Sequence, residues 1–131
     1  MGTMQPHKDD HSPKALFKSF KYAGEGILTA LKLGRNLKVH FLATLAIAVL
    51  SLFLQISRGE YVMLLLTIGS VVCLEIVNSA IEETVDLVTL ERNPRAKNAK
   101  DMAAGAVLIA AFIAVFIGIM IFAPYVKALL R

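Results

Sequence analysis

The sequence predicts an all-α membrane protein, with an amphipathic surface helix followed by three transmembrane helices. Two observations carry that reading. First, the chain has only 131 residues, yet 56% are hydrophobic and the mean hydropathy is +0.64. That is more apolar than ordinary soluble domains, and a domain this small has too little interior to bury the excess. Second, the excess is concentrated in three stretches, about residues 40–57, 61–90 and 97–126. Each is about long enough to cross a bilayer, and in lipid so few spans satisfy their backbone groups only as helices.

Residues 1–13 are polar and include Pro6, His7, His11 and Pro13, which reads as a disordered tail with no cleaved signal segment. Residues 14–131 read as a single membrane domain, opened by a surface helix over 14–38. There Leu16, Phe20, Ala23, Ile27, Ala30 and Leu31 recur at helical spacing, with Lys14, Lys18, Lys21, Lys32, Arg35 and Lys38 on the polar side. Span one covers 40–57. Arg58-Gly59-Glu60 reads as a short turn into span two at 61–90. Residues 91–102, with Asn93-Pro94, connect to span three, which regains helix before Lys97 and is free of charge over 103–126. In span three, Ala106, Ala110, Ala114 and Gly118 make a row of small residues suited to close helix packing. Cys73, the sole cysteine, rules out an intramolecular disulfide or a cysteine metal cluster, and its apolar neighbours suggest an inert packed thiol.

Charge sets the expected orientation. Of 14 Lys and Arg, 11 fall before span one or between spans two and three, leaving Arg58, Lys127 and Arg131 on the other side. The positive-inside rule then places the N-terminus and the 91–102 loop in the cytoplasm of a multi-pass inner-membrane protein. The net charge of +4 faces lipid headgroups in this reading, and no nucleic-acid partner is expected.

The chemistry is expected on span two. At ~100° per residue, Glu75, Asn78, Glu82 and Asp86 share a face about 80° wide, and Glu75 lies ~16 Å from Asp86 along the axis. Ionisable groups at such depth are expensive and mark function, and Glu75, set inside the apolar run, suits a general base. Glu83, Glu91 and Arg92 read more simply as helix-end charges. Lys97 and Asp101 have the spacing of a surface ion pair, and Lys100 and Asp101 open span three on the side of Glu82 and Asp86. Carboxylates beside a lysine at a membrane surface suit Mg²⁺ and phosphates. The chain contains neither a Walker A loop nor a G-x-G-x-x-G fingerprint. Periodicity alone leaves three uses of the stripe open: group transfer, ion or proton translocation, and a regulatory subunit that binds a partner helix.

The run Glu75-x-x-Asn78-Ser79-Ala80-Ile81-Glu82-x-x-x-Asp86, followed by Ala96-Lys97-x-Ala99-Lys100-Asp101-x-Ala103-Ala104-Gly105-Ala106-Val107, closely resembles the small prokaryotic lipid kinases, diacylglycerol kinase and undecaprenol kinase. The resemblance spans about residues 14–125. It implies a homotrimer with active sites between subunits that uses Mg²⁺ and ATP to phosphorylate a lipid alcohol. Carried over by motif position, it implies Glu75 as general base, Glu82 as metal ligand, and Asn78 and Asp86 as supporting polar groups. It implies nucleotide contacts at Tyr22, Glu82, Glu91, Arg92, Asn93, Lys100 and Asp101, and lipid contacts at Asn36, His40, Glu75 and Ala104. Two departures stand out. Gly34 occupies a place where many members carry a metal-binding glutamate, and a basic residue often found near Ala15 is missing. Arg35-Asn36-x-x-x-His40 and Thr84-Val85-Asp86-Leu87 lean toward the undecaprenol kinase branch.

Overall fold

The computed structural model describes residues 12–130, and these residues form four helices joined by short connections. Most of the expected tail lies outside the described residues. Its last two residues start the first helix, α1 (Pro13–Leu33): the Ser12 hydroxyl caps it by accepting from the Ala15 N–H at 3.2 Å, and Pro13 takes the first helical position, where no amide donor is needed. Leu16 and Phe20 on α1 are 62% and 70% exposed, so none of the described residues covers the first half of its apolar side. That is the pattern of a helix lying on lipid. Only toward its end, at Ala30, is α1 buried against the rest of the chain.

The break between α1 and the first span falls at Gly34, four residues before the expected end of the surface helix. Gly34 is extended (φ −73°, ψ 108°), and its N–H closes α1 on the Ala30 carbonyl at 2.7 Å. The corner is tight. A Cβ at this position would lie 2.8 Å from the Ala30 carbonyl oxygen and 3.5 Å from Ser79 Oγ on the third helix. Residues 35–38 therefore join α2 (Arg35–Leu54) rather than α1. Lys38 folds back to donate to the Lys32 carbonyl at 3.3 Å, near the carbonyl-rich end of α1.

The link from α2 to α3 (Arg58–Val88) falls at residues 55–57, earlier in the chain than expected. Arg58-Gly59-Glu60 is the first turn of α3, because Ser57 and Glu60 form a reciprocal capping box. The reversal is made instead at Gln55, in the left-handed region at φ 52°, ψ 47°. Asn93 then caps α4 (Pro94–Leu129), accepting from the Arg95 and Ala96 N–H groups at 2.8 and 3.5 Å. At ~1.5 Å per residue, α3 and α4 exceed the ~30 Å hydrocarbon layer. Their ends therefore reach the polar surfaces.

The buried seam of α3 consists of Leu64, Val71, Glu75 and Asn78. Leu64 meets Ile56 and Ile121 in the core, flanked by Ile47, Leu54, Ile117 and Phe122. Tyr125 ties that end together by donating to Glu60 Oε2 at 2.7 Å, the same oxygen that accepts from the Ser57 N–H at 2.8 Å. Cys73 is exposed, which corrects the packed-thiol expectation. Two residues from both Val71 and Glu75, it lies ~200° around the helix from the seam and faces outward. The core occupies one end of the bundle, leaving the polar half of the α3 seam at the other.

Candidate active site

Glu75 and Asn78 replace apolar residues where the α3 seam continues inward, and are 2% and 4% exposed. Hydrophobic residues precede and follow them along α3, which packs against α1, α2 and α4. Crossing the hydrocarbon from Tyr61 takes about 20 residues, which brings Glu82 to the far boundary and leaves Glu75 roughly 10 Å inside it. One turn beyond Asn78, Glu82 is exposed, and its Oε1 accepts from Asn78 Nδ2 at 3.2 Å. The other Asn78 amide atom, Oδ1, is buried without a hydrogen-bond partner. Among the described residues, none of Glu75, Glu82 and Glu83 is ion-paired. The stripe therefore presents uncompensated carboxylates and one free amide oxygen, a set that attracts cations and hydrogen-bond donors.

Two hollows flank the stripe. A cavity of about 430 Å³ separates α1 from α3, with Gly34, Ser79, Glu82 and Glu83 among its lining residues. Sequence alone reads Glu83 only as a helix-end charge. Its spacing holds the missed signal: Ile76, Ser79, Ala80 and Glu83 form the i, i+3, i+4, i+7 face of α3 that looks onto this cavity. On the other side, a groove of about 350 Å³ runs between α2, α3 and α4 from His40 to Gly118. Two hydroxyls in its wall are turned back on their own helices, Thr44 onto the His40 carbonyl at 2.8 Å and Thr67 onto the Met63 carbonyl at 2.6 Å. The groove therefore offers a visitor mostly hydrocarbon. Val71 forms part of its wall, and Glu75 lies one turn further along the same face.

The structure brings some of the expected site residues together and leaves others apart. Lys100, from the first turns of α4, reaches Asp86 on α3 with an Nζ–Oδ1 distance of 2.6 Å. Asp101 pairs with Lys97 on its own helix, as the spacing predicts. His40 is half-buried at the mouth of the groove, while Asn36 and Ala104 are exposed. Tyr22 lies on the exposed side of α1 with Lys18 Nζ 5.6 Å from its ring centre. Glu91, Arg92 and Asn93 form the exposed connection before α4, where the side-chain oxygen of Asn93 is committed to the cap.

Comparison with known proteins agrees with the motif. The family model for prokaryotic diacylglycerol kinase matches residues 21–122. An undecaprenol kinase of Bacillus subtilis is 44% identical over 82% of this chain and 88% of its own length. A diacylglycerol kinase of Synechocystis is 37% identical over 88% of this chain and 66% of its own length. A diacylglycerol kinase of Pseudomonas aeruginosa is 33% identical, covering 80% and 85% respectively. The match takes in α2, α3, most of α4 and the second half of α1, and so includes both hollows and the stripe between them; the chain belongs to the prokaryotic diacylglycerol kinase family.

Proposed function

We propose that the chain transfers the γ-phosphoryl group of ATP to the hydroxyl of a membrane lipid alcohol at the cytoplasmic face of the inner membrane. The observation that carries this reading is the position of Glu75: a buried carboxylate one turn along α3 from Val71 in the wall of an apolar groove, and about one turn from a polar cluster that opens to the surface. A lipid tail in the groove would bring its hydroxyl to Glu75, which takes the proton as oxygen attacks phosphorus. Lys100 meets the phosphate oxygens, and Asn78 holds Glu82 in place. The working form in this proposal is a homotrimer with the N-terminus in the cytoplasm, as the family resemblance and the basic-residue count imply. Ion translocation is the weaker reading, because beyond Glu75 the buried seam of α3 continues only through Val71 and Leu64.

The donor set at the stripe fits Mg²⁺. Glu82 and the unpartnered Asn78 Oδ1 are hard oxygen donors, and Glu82 would hold the ion. Among the described residues no three His, Cys, Asp or Glu side chains converge on one point, so phosphate oxygens would complete the shell. Bound there, the ion would offset charge on the transferring group. Gly34 lines the same cavity as Glu82. Gly34→Glu is expected to lower the Mg²⁺ concentration at half-maximal activity while lowering the thermal midpoint, since the added Cβ crowds the Ala30 carbonyl. An unchanged Mg²⁺ titration would place Gly34 away from the metal.

Undecaprenol is the lipid we favour. Apart from His40 at its mouth, the groove offers no free side-chain donor for ester carbonyls, and the undecaprenol kinase relative has the highest identity of the three compared. The test is a panel of polyprenols and diacylglycerols presented in micelles with ATP and Mg²⁺. The reading expects phosphate transfer that needs both lipid and Mg²⁺, with polyprenol the better acceptor. Equal or better use of diacylglycerol would overturn the choice of lipid.

A further inference from the structure

We propose that Asp86 is a positioning residue that holds Lys100 over the polar stripe for phosphate. The inference rests on the kinase reading of this site. Lys100 and Asp86 are 14 residues apart and on different helices, yet they meet at 2.6 Å with side chains 34% and 47% exposed. Asp86 lies about 40° around α3 from Glu82 and ~6 Å further along its axis. The contact therefore draws the ammonium of Lys100 onto the face that carries Glu75 and Glu82. The neighbouring Lys97 contrasts with this, pairing with Asp101 on the surface of its own helix, with side chains 73% and 59% exposed.

The chemistry suits a hold that persists while substrate is bound. A lysine side chain has a long flexible stem, and fixing its end removes conformational freedom that a phosphate would otherwise have to remove. An ammonium has three N–H donors. Asp86 Oδ1 takes one, which leaves two for phosphate oxygens, so Lys100 can engage a nucleotide without leaving Asp86. The carboxylate fixes where the positive charge stands and has no contact of its own with the reacting atoms.

The test is a double-mutant cycle in micelles, with Asp86→Asn, Lys100→Met and the combination, and with Asp86→Glu as the conservative variant. Misplacing a charge by about an ångström costs on the order of tenfold or more. Asp86→Asn is therefore expected to lower kcat by about tenfold with little change in KM for ATP. Asp86→Glu should recover most of that loss, and Asp86→Asn should have no further effect once Lys100 is Met. An equal loss in both backgrounds would overturn the proposal, as would a raised KM with unchanged kcat. Acetic anhydride labelling of Lys100 with and without a non-hydrolysable ATP analogue gives a readout that needs no lipid. The analogue should protect Lys100 in the wild-type chain and protect it less in Asp86→Asn. Such protection in a chain that transfers no phosphate to lipid would contradict the kinase reading and leave the positioning intact. Phosphate transfer with equal protection in both chains would overturn the positioning alone.

Discussion

Glu75→Gln is expected to lower lipid phosphorylation by about 10²–10⁴-fold, the range for losing a positioned general base. The substitution keeps the size and most of the shape of the side chain and removes only its ability to take a proton. Glu75 is 2% exposed in a seam otherwise formed by Leu64, Val71 and Asn78. Replacing a buried charge by an amide removes a desolvation cost, so the thermal midpoint should hold or rise. Binding of a non-hydrolysable ATP analogue should persist, because Glu75 lies well inside the bilayer from the nucleotide residues. A variant that is stable, binds nucleotide and fails to transfer phosphate separates chemistry from folding. Full activity would remove Glu75 from the base role.

The second large effect is expected at Glu82. Glu82→Gln keeps an oxygen for the hydrogen bond from Asn78, which spans 3.2 Å in the native chain, but removes the negative charge offered to a cation. Loss of a charge aimed at a transferring phosphoryl group costs about 10²-fold or more. The deficit should shrink as Mg²⁺ is raised, since the variant is impaired in holding the ion. Equilibrium Mn²⁺ binding in the presence of an ATP analogue gives an independent measure and should weaken in parallel. Unchanged cation titrations in both assays would mean that Glu82 serves only to orient Asn78.

Much of this molecule is legible in its residues, for reasons that can be named. The three spans come from apolar runs that have no solution in water, and helices of spanning length and composition match all three. The angular grouping of Glu75, Asn78, Glu82 and Asp86 needs only the helical repeat. What escapes is set by local closure between elements. Gly34 breaks the chain four residues earlier than the basic amphipathic pattern suggests, because the corner needs close contact with Ala30 and Ser79. The Ser57–Glu60 capping box pulls residues expected as a turn into α3. Glu83 shares a helical face with Ile76, Ser79 and Ala80, which the spacing does show, but the placement of α1 across from that face is what makes it a cavity wall. The Lys100–Asp86 contact joins residues of two helices, and periodicity within either helix carries no signal for it.

The central claim is direct transfer of phosphate from ATP to a lipid hydroxyl. The most direct measurement uses the purified chain in micelles with Mg²⁺, γ-labelled ATP and undecaprenol, and then extracts the lipid. The account predicts label in the lipid in equal amount to the ADP formed, with no ADP formed when the lipid is left out. ADP formed at the same rate without lipid, or with the label remaining as free phosphate, would contradict it.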